Sequence, residues 1–186
     1  MSRIFNILAS FAVVFVLATM ALGYSLRTRD IRDPADSVAQ KMATVHRLSG
    51  IAAGIALVFV NSIVVTYFIG TSRWCKEVSE TYKLDAIFTR RSTVLKRRTF
   101  PLAVANMLIA VTIIALGGAS DPGGTFRMAP PPGLSWTNLH FMAAAVGLLA
   151  VGYLSLLEAN NIRANQQVIG EVMDEVRRIR TERGLE

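Results

Sequence analysis

Four stretches of this chain contain no Asp, Glu, Lys or Arg, and each is long enough to cross a bilayer. They cover residues 4–26, 48–72, 99–120 and 133–157. A hydrocarbon core of about 30 Å needs about 20 mostly apolar residues in a helix. In lipid, the backbone must also satisfy its own hydrogen bonds. Because alternating strand patterns are absent, the chain is predicted to be an all-α integral membrane protein.

The composition agrees with this prediction, since 52% of the residues are hydrophobic and the mean hydropathy is +0.42. A cleaved signal peptide is the alternative for the first stretch, because Arg3 precedes it. The stretch is longer than a typical signal core and no A-x-A site follows, so a membrane anchor is favoured. We therefore predict a single four-helix membrane domain with spans at residues 4–26, 45–72, 99–118 and 135–158.

The net charge of +7 predicts membrane topology rather than binding to nucleic acid. Eight Lys and Arg residues lie between Arg73 and Arg98, five follow residue 157, and Arg3 precedes the first span; six lie on the opposite side. Cytoplasmic loops carry the excess of positive charge. Both termini are therefore predicted to be cytoplasmic, with a bacterial inner membrane as the expected location and lipid as a partner.

Two polar segments are predicted to prolong the second and fourth helices into the cytoplasm. The basic connector over residues 73–98 keeps Trp74, Val78 and Tyr82 at four-residue spacing, which is typical of an amphipathic helix. The tail over residues 159–186 carries an apolar stripe that is predicted to pack on this extension. A partner subunit or a second copy of the chain is the alternative. The stripe comprises Ile162, Ile169, Val172, Val176 and Ile179.

Local signals predict where the helices begin. Asp33 and Pro34 favour a start of the second helix near Pro34. The third helix is expected to begin around Phe100, where the charged connector ends. Ser135 is the expected N-cap of the fourth helix.

The chain has two histidines, His46 and His140, at matching places in its two halves. The offset of 94 positions that aligns them also aligns Ala21-Leu22-Gly23 with Ala115-Leu116-Gly117. Because the second and fourth spans run in the same direction, this pattern predicts two similar helical hairpins related by an axis along the membrane normal. Both imidazoles are then expected to face one site near the outer face.

Such a pair predicts axial ligation of one b-type haem. Neutral imidazole is a good iron ligand, and two imidazoles on facing helices can hold a macrocycle between them. Small residues below each histidine are expected to leave room for the porphyrin, and nearby arginines to pair with its propionates. The predicted site comprises His46, His140, Arg47, Gly50, Gly54, Ala144 and Gly147, with Arg27, Arg29 and Arg127 as further propionate partners.

The same residues are also compatible with a protein that holds no haem. A histidine at a membrane interface can bond water, lipid or a backbone carbonyl, and glycine at four-residue spacing is also typical of close helix packing. A zinc or copper site is disfavoured, because two histidines supply only half of a tetrahedral set and no cysteine accompanies them. Glu158 closes the fourth span, where its carboxylate is expected to reach water.

Four spans with paired histidines resemble the membrane b-type cytochromes, including one half of a haem A synthase or a stripped-down cytochrome b561. The resemblance covers the helix layout, His46 and His140. Cytochrome b561 proteins hold two haems on four histidines, whereas this chain has two histidines.

The leading hypothesis is a small membrane redox subunit that passes single electrons between a quinone or membrane partner and an acceptor at the outer face. The alternative is a cofactor-free accessory subunit that docks partners through its cytoplasmic helices. A transporter is third. Charged residues are absent deep in the predicted spans, where Asn61 and Asn106 are the main polar candidates, and this argues against an ion or proton path. No nucleotide loop, nucleophile–base pair or metalloprotease motif indicates a stand-alone enzyme.

Overall fold

The computed structural model describes residues 1–29, 31, 33, 35–124 and 128–185, and over this part of the chain it is all-helical. The four helices are α1 (Ser2–Ser25), α2 (Ser37–Tyr82), α3 (Ala86–Ser120) and α4 (Trp136–Glu182). Each is long and apolar enough to cross a membrane. The predicted all-α fold with four candidate spans is confirmed. At 1.5 Å per residue, α2, α3 and α4 are about 50–70 Å long, so they exceed a hydrocarbon core of about 30 Å.

The helices form a bundle in which each packs on the next along the chain and α4 closes on α1. Its core contains large apolar side chains such as Phe5, Val64 and Phe68, which are at most 2% exposed. Equally apolar side chains such as Phe11 and Leu149 point outwards and are more than 60% exposed. Helices that are apolar on both faces are suited to lipid surroundings. The bundle therefore has the surface of an integral membrane protein.

Helix α2 begins at Ser37, later than predicted. The side chain of Asp36 accepts a hydrogen bond from the Ala39 amide at 2.8 Å and is the N-cap. Asp33 instead accepts from the Ala35 amide and closes a turn before the helix. The N-cap therefore lies three residues after the predicted position, and the predicted role of Pro34 lies outside the described residues.

The basic connector is helical on both sides of a short turn. Helix α2 ends at Tyr82 because Lys83 adopts a left-handed conformation (φ 54°) and the Leu84 amide reaches back to the Ser79 carbonyl at 2.9 Å. Asp85 then caps α3 by accepting from the Ile87 amide. The prediction that the third helix begins around Phe100 is wrong, because charged residues outside the membrane continue a helix as well as apolar ones do.

The parts of α2, α3 and α4 beyond the predicted spans pack together. On α2 the buried face consists of the small residues Ser72, Cys75 and Ser79, whereas the predicted face of Trp74, Val78 and Tyr82 is only half-buried. The apolar stripe of α4 is covered within the chain, with Ile162 and Val172 fully buried. A bidentate ion pair between Arg91 and Glu171 joins α3 to α4.

Candidate functional site

The two histidines lie next to each other in the bundle. His46 is on α2 and His140 is on α4, and their ring centroids are 6.1 Å apart with the ring planes inclined at 70°. Both side chains are half-buried. The 94-residue spacing thus brings two imidazoles to one place, whereas a ligand between them stays a prediction.

Each imidazole is held by a backbone carbonyl of the preceding helix. His46 Nδ1 lies 3.1 Å from the Thr19 carbonyl oxygen, and His140 Nδ1 lies 3.1 Å from that of Ile113. Both pairs are separated by 27 positions. Since the carbonyl can only accept, Nδ1 carries the proton in each bond, and Nε2 is then the unprotonated ring nitrogen of a neutral imidazole.

Two glycines allow these close approaches. A Cβ atom at Gly23 would lie 2.6 Å from Cε1 of His46, and one at Gly117 would lie 3.1 Å from Cε1 of His140. Each glycine is four residues after the carbonyl that holds the imidazole, on the same helix face. The offset of 94 positions pairs Gly23 with Gly117, whereas their contacts with the histidines come from the packing of the helices.

The small residues predicted to make room for a porphyrin are in contact with neighbouring helices. A Cβ at Gly54 would collide with the side chain of Ile114, and one at Gly147 would lie 2.7 Å from that of Ile113. Gly50 faces the methyl group of Thr19 at 3.7 Å, and Ala144 is buried. Close helix packing therefore accounts for Gly54 and Gly147, and their role beside a macrocycle stays a prediction.

The predicted propionate partners are held by other groups. Arg47 makes a two-point ion pair with Asp121, at 2.9 and 3.1 Å. Arg27 donates to Asn138 and lies over the ring of Phe141 at 4.9 Å. Arg29 pairs with Asp36 at 3.4 Å, and Arg127 lies outside the described residues. Arg27 thus contacts Phe141, the residue next to His140.

A second polar site lies deeper in the bundle. Glu158 is fully buried, so the prediction that its carboxylate reaches water is wrong. Its Oε2 accepts from Asn106 Nδ2 at 3.5 Å, and the same amide group lies 3.3 Å from Oδ1 of Asn61. Asn61 in turn donates to the Leu57 carbonyl at 2.8 Å. The fourth helix continues inside the bundle beyond the apolar run, and it therefore carries its first charged residue into the core.

A third group of polar side chains lies further along the same helices. Asn165 donates to the hydroxyl groups of Tyr67 (3.2 Å) and Thr71 (2.9 Å) and accepts from that of Ser92 at 3.3 Å. On α3, Ser92, Thr99 and Asn106 are buried at seven-residue spacing. These buried or half-buried polar side chains form a line along the packed ends of α2, α3 and α4 that leads up to Glu158. This polar line comprises Tyr67, Thr71, Ser92, Thr99, Asn106 and Asn165.

The two-histidine set limits which metal centres are feasible. Nowhere in the described part of the chain do three or more His, Cys, Asp or Glu side chains come together as metal ligands. Two imidazoles are sufficient as axial ligands when a macrocycle supplies the other four positions. Comparisons of the chain with protein-family models, with curated proteins and with solved structures find no match.

Proposed function

We propose that this chain is a small membrane redox subunit in which His46 and His140 are the axial ligands of one b-type haem. The observation that carries the proposal is the distance between the two rings. Metal–nitrogen bonds of about 2 Å place the ring centroids of two axial imidazoles about 6 Å apart. The centroids of His46 and His140 are 6.1 Å apart.

The hydrogen bonds of the two rings support the same role. Metal-bound histidines usually donate their second ring N–H to a carbonyl or carboxylate, which sets the tautomer and makes the ligand more basic. Thr19 and Ile113 provide such carbonyls. Gly23 and Gly117 then keep the space around each ring free of a side chain.

The repeated design of the chain supports one shared site on an axis between two hairpins. The histidine, its carbonyl and its glycine recur at an offset of 94 positions. Buried positions recur at this offset too, and they include the pairs Phe5 and Thr99, Ala9 and Ala103, Leu57 and Val151, and Phe68 and Ile162. Two similar hairpins with an axis along the membrane normal would bring equivalent imidazoles together in this way.

When bound, a haem held by His46 and His140 would supply one-electron transfer. The chain's own part is to hold and orient the imidazoles and to cover them. Phe141 follows His140 and packs against Tyr24, with ring centroids 5.9 Å apart. Arg27 supplies a positive charge over the same ring. Under the predicted topology, with the Lys83 turn and both termini in the cytoplasm, this site is near the outer face.

Absorption spectra of the full chain, purified in mild detergent and supplied with haem, test the proposal. A Soret band and a pyridine haemochrome signal at about one haem per chain are expected. His46→Ala and His140→Ala should each abolish the spectrum of a six-coordinate haem. Ser62→Ala is the matched control, because this exposed hydroxyl bonds only its own helix. Absence of haem binding, or binding unchanged in the double histidine variant, would refute the proposal.

The accessory-subunit alternative relies on a free docking surface on the long helices. The sequence feature behind it is the apolar stripe of α4, and within the described residues Ile162 and Val172 of that stripe are covered by the chain itself. Ile169 and Ile179 of the same stripe are half-buried, and docking of a partner through the long helices stays the alternative.

A further inference from the structure

The cluster of Asn61, Asn106 and Glu158 is not used by the proposed haem site. Its members come from α2, α3 and α4, and their exposed fractions are 1%, 0% and 0%. Asn61 is 15 positions after His46 on the same helix, which corresponds to about 22 Å along its axis. A carboxylate inside a membrane bundle is costly, so such residues usually serve a function.

The cluster has fewer donors than acceptors. Asn61 Nδ2 is used on the Leu57 carbonyl, and Asn106 Nδ2 serves both Asn61 and Glu158. Two oxygens, Asn106 Oδ1 and Glu158 Oε1, are buried without a protein hydrogen-bond partner. Buried polar atoms are nearly always hydrogen-bonded. A proton on the carboxyl group would turn one of its acceptors into a donor.

The described residues also offer Glu158 no positive charge. Within the described chain, no Lys, Arg or His forms an ion pair with Glu158. The described groups around it are uncharged: α2 contributes Asn61, α3 contributes Asn106, and the buried residues of α1 carry no charge. The polar line contains the titratable side chain of Tyr67, which accepts from Asn165. An unpaired buried carboxylate would be strongly disfavoured, whereas its protonated form is neutral.

Packing alone does not require these polar residues. At the offset that relates the two histidines, Asn106 corresponds to Ala12 and Glu158 corresponds to Val64. Ala12 and Val64 are both fully buried. Apolar side chains thus fill the places equivalent to Asn106 and Glu158 in the first half of the chain, and these two members of the cluster depart from the repeat.

We propose that Glu158, together with Asn106 and Asn61, forms a proton-binding site inside the bundle and that it holds a proton at neutral pH. The ligand is the proton itself. The site belongs to the half of the bundle away from the histidines, and it does not depend on whether haem is bound.

Infrared spectroscopy of the full chain in lipid vesicles, with ¹³C-labelled glutamate, tests this proposal. At pH 7 we expect a protonated-carboxyl C=O band that shifts with the label and corresponds to about one glutamate per chain. Glu158→Gln should remove the band. Asn106→Ala, which installs the residue of the first half, should keep it but shift its frequency, because the hydrogen bond from Nδ2 is lost.

Glu171→Gln is the matched control and should leave the band in place, since Glu171 is 45% exposed and pairs with Arg91. If Glu158→Gln does not fold, the labelled wild-type spectrum still decides, because the other described glutamates are partly or fully exposed. A glutamate signal that is entirely ionised at pH 7 would overturn the proposal and would indicate water or a cation in the cluster. A band that persists in folded Glu158→Gln would overturn it as well.

Discussion

At the scale of single residues, the glycines opposite the histidines allow each imidazole to hydrogen-bond a backbone carbonyl of the preceding helix. An imidazole from the next helix reaches the Thr19 and Ile113 carbonyls across the position four residues later, where a Cβ atom would meet the ring. Gly23 and Gly117 occupy that position, so each imidazole can approach the helix backbone. The sequence predicted the histidine pair but not these contacts. Every residue has a backbone carbonyl, so the residue types alone do not show which carbonyl accepts from a histidine.

Replacing Gly23 should therefore disrupt the orientation of His46. In Gly23→Ala the new Cβ would lie 2.6 Å from the ring, which must move away from the Thr19 carbonyl. We expect haem affinity to fall about 10–100-fold, as is usual when the group that orients a metal ligand is lost. Gly118→Ala, with open space around its Cβ, should bind haem like the wild type. Haem titration followed by absorbance measures both; equal affinities would contradict this role of Gly23.

The ion pair of Arg47 and Asp121 predicts a pH dependence of stability. Burial alone would raise the pKa of Asp121. Hydrogen bonds from Arg47 and the Gly123 amide lower it by more than burial raises it, so the folded-state pKa is below the ordinary 3.8. The stabilisation is thus complete above about pH 3.8 and is lost as the pH falls through the lower, folded-state value.

Asp121→Asn should accordingly lower the free energy of unfolding by about 0.2–1 kcal/mol at pH 7, a typical value for a partly exposed pair. The difference from the wild type should shrink below pH 4. Thermal unfolding in detergent across this pH range checks both, and a difference that grows towards low pH would contradict the assignment.

At the scale of the helices, the spans could be predicted and most of the helix ends could not. Runs without charged residues identify the apolar parts of all four helices. The start of α3 at Ala86 was missed because a three-residue turn without Gly or Pro separates it from α2. The buried position of Glu158 was missed because α4 stays packed against its neighbours beyond the last residue of the apolar run.

The tail of α4 should contribute to the stability of the chain itself in the absence of a partner. Val172 is fully buried, whereas its neighbour Met173 is 39% exposed. Val172→Ala is expected to cost about 1–3 kcal/mol through lost burial and a small cavity, and Met173→Ala much less. Protease sensitivity and amide hydrogen exchange in this segment are the measurements. Equal effects of the two variants would indicate that the stripe is not packed in solution.

At the scale of the whole molecule, the charge distribution predicts one orientation in the membrane. In a Cys75→Ala background, Thr81→Cys near the Lys83 turn and Thr28→Cys at the opposite end are both exposed positions. An impermeant maleimide added outside intact cells should label Thr28→Cys and leave Thr81→Cys unlabelled until the membrane is opened. The reverse pattern would place the basic turn outside and contradict the positive-inside assignment.

The two proposed sites should be separable, because they occupy different depths of the bundle and share no described side chain. About 22 Å along α2 separates His46 from Asn61, and ionic or hydrogen-bond contacts between the two groups are absent from the described residues. Glu158→Gln should therefore leave the haem absorption spectrum and haem affinity unchanged. The variant with both histidines replaced by alanine should keep the protonated-glutamate infrared band. If either substitution removes the signal of the other site in a folded protein, the two sites form one coupled unit, and proton binding would then have to be considered together with the redox role.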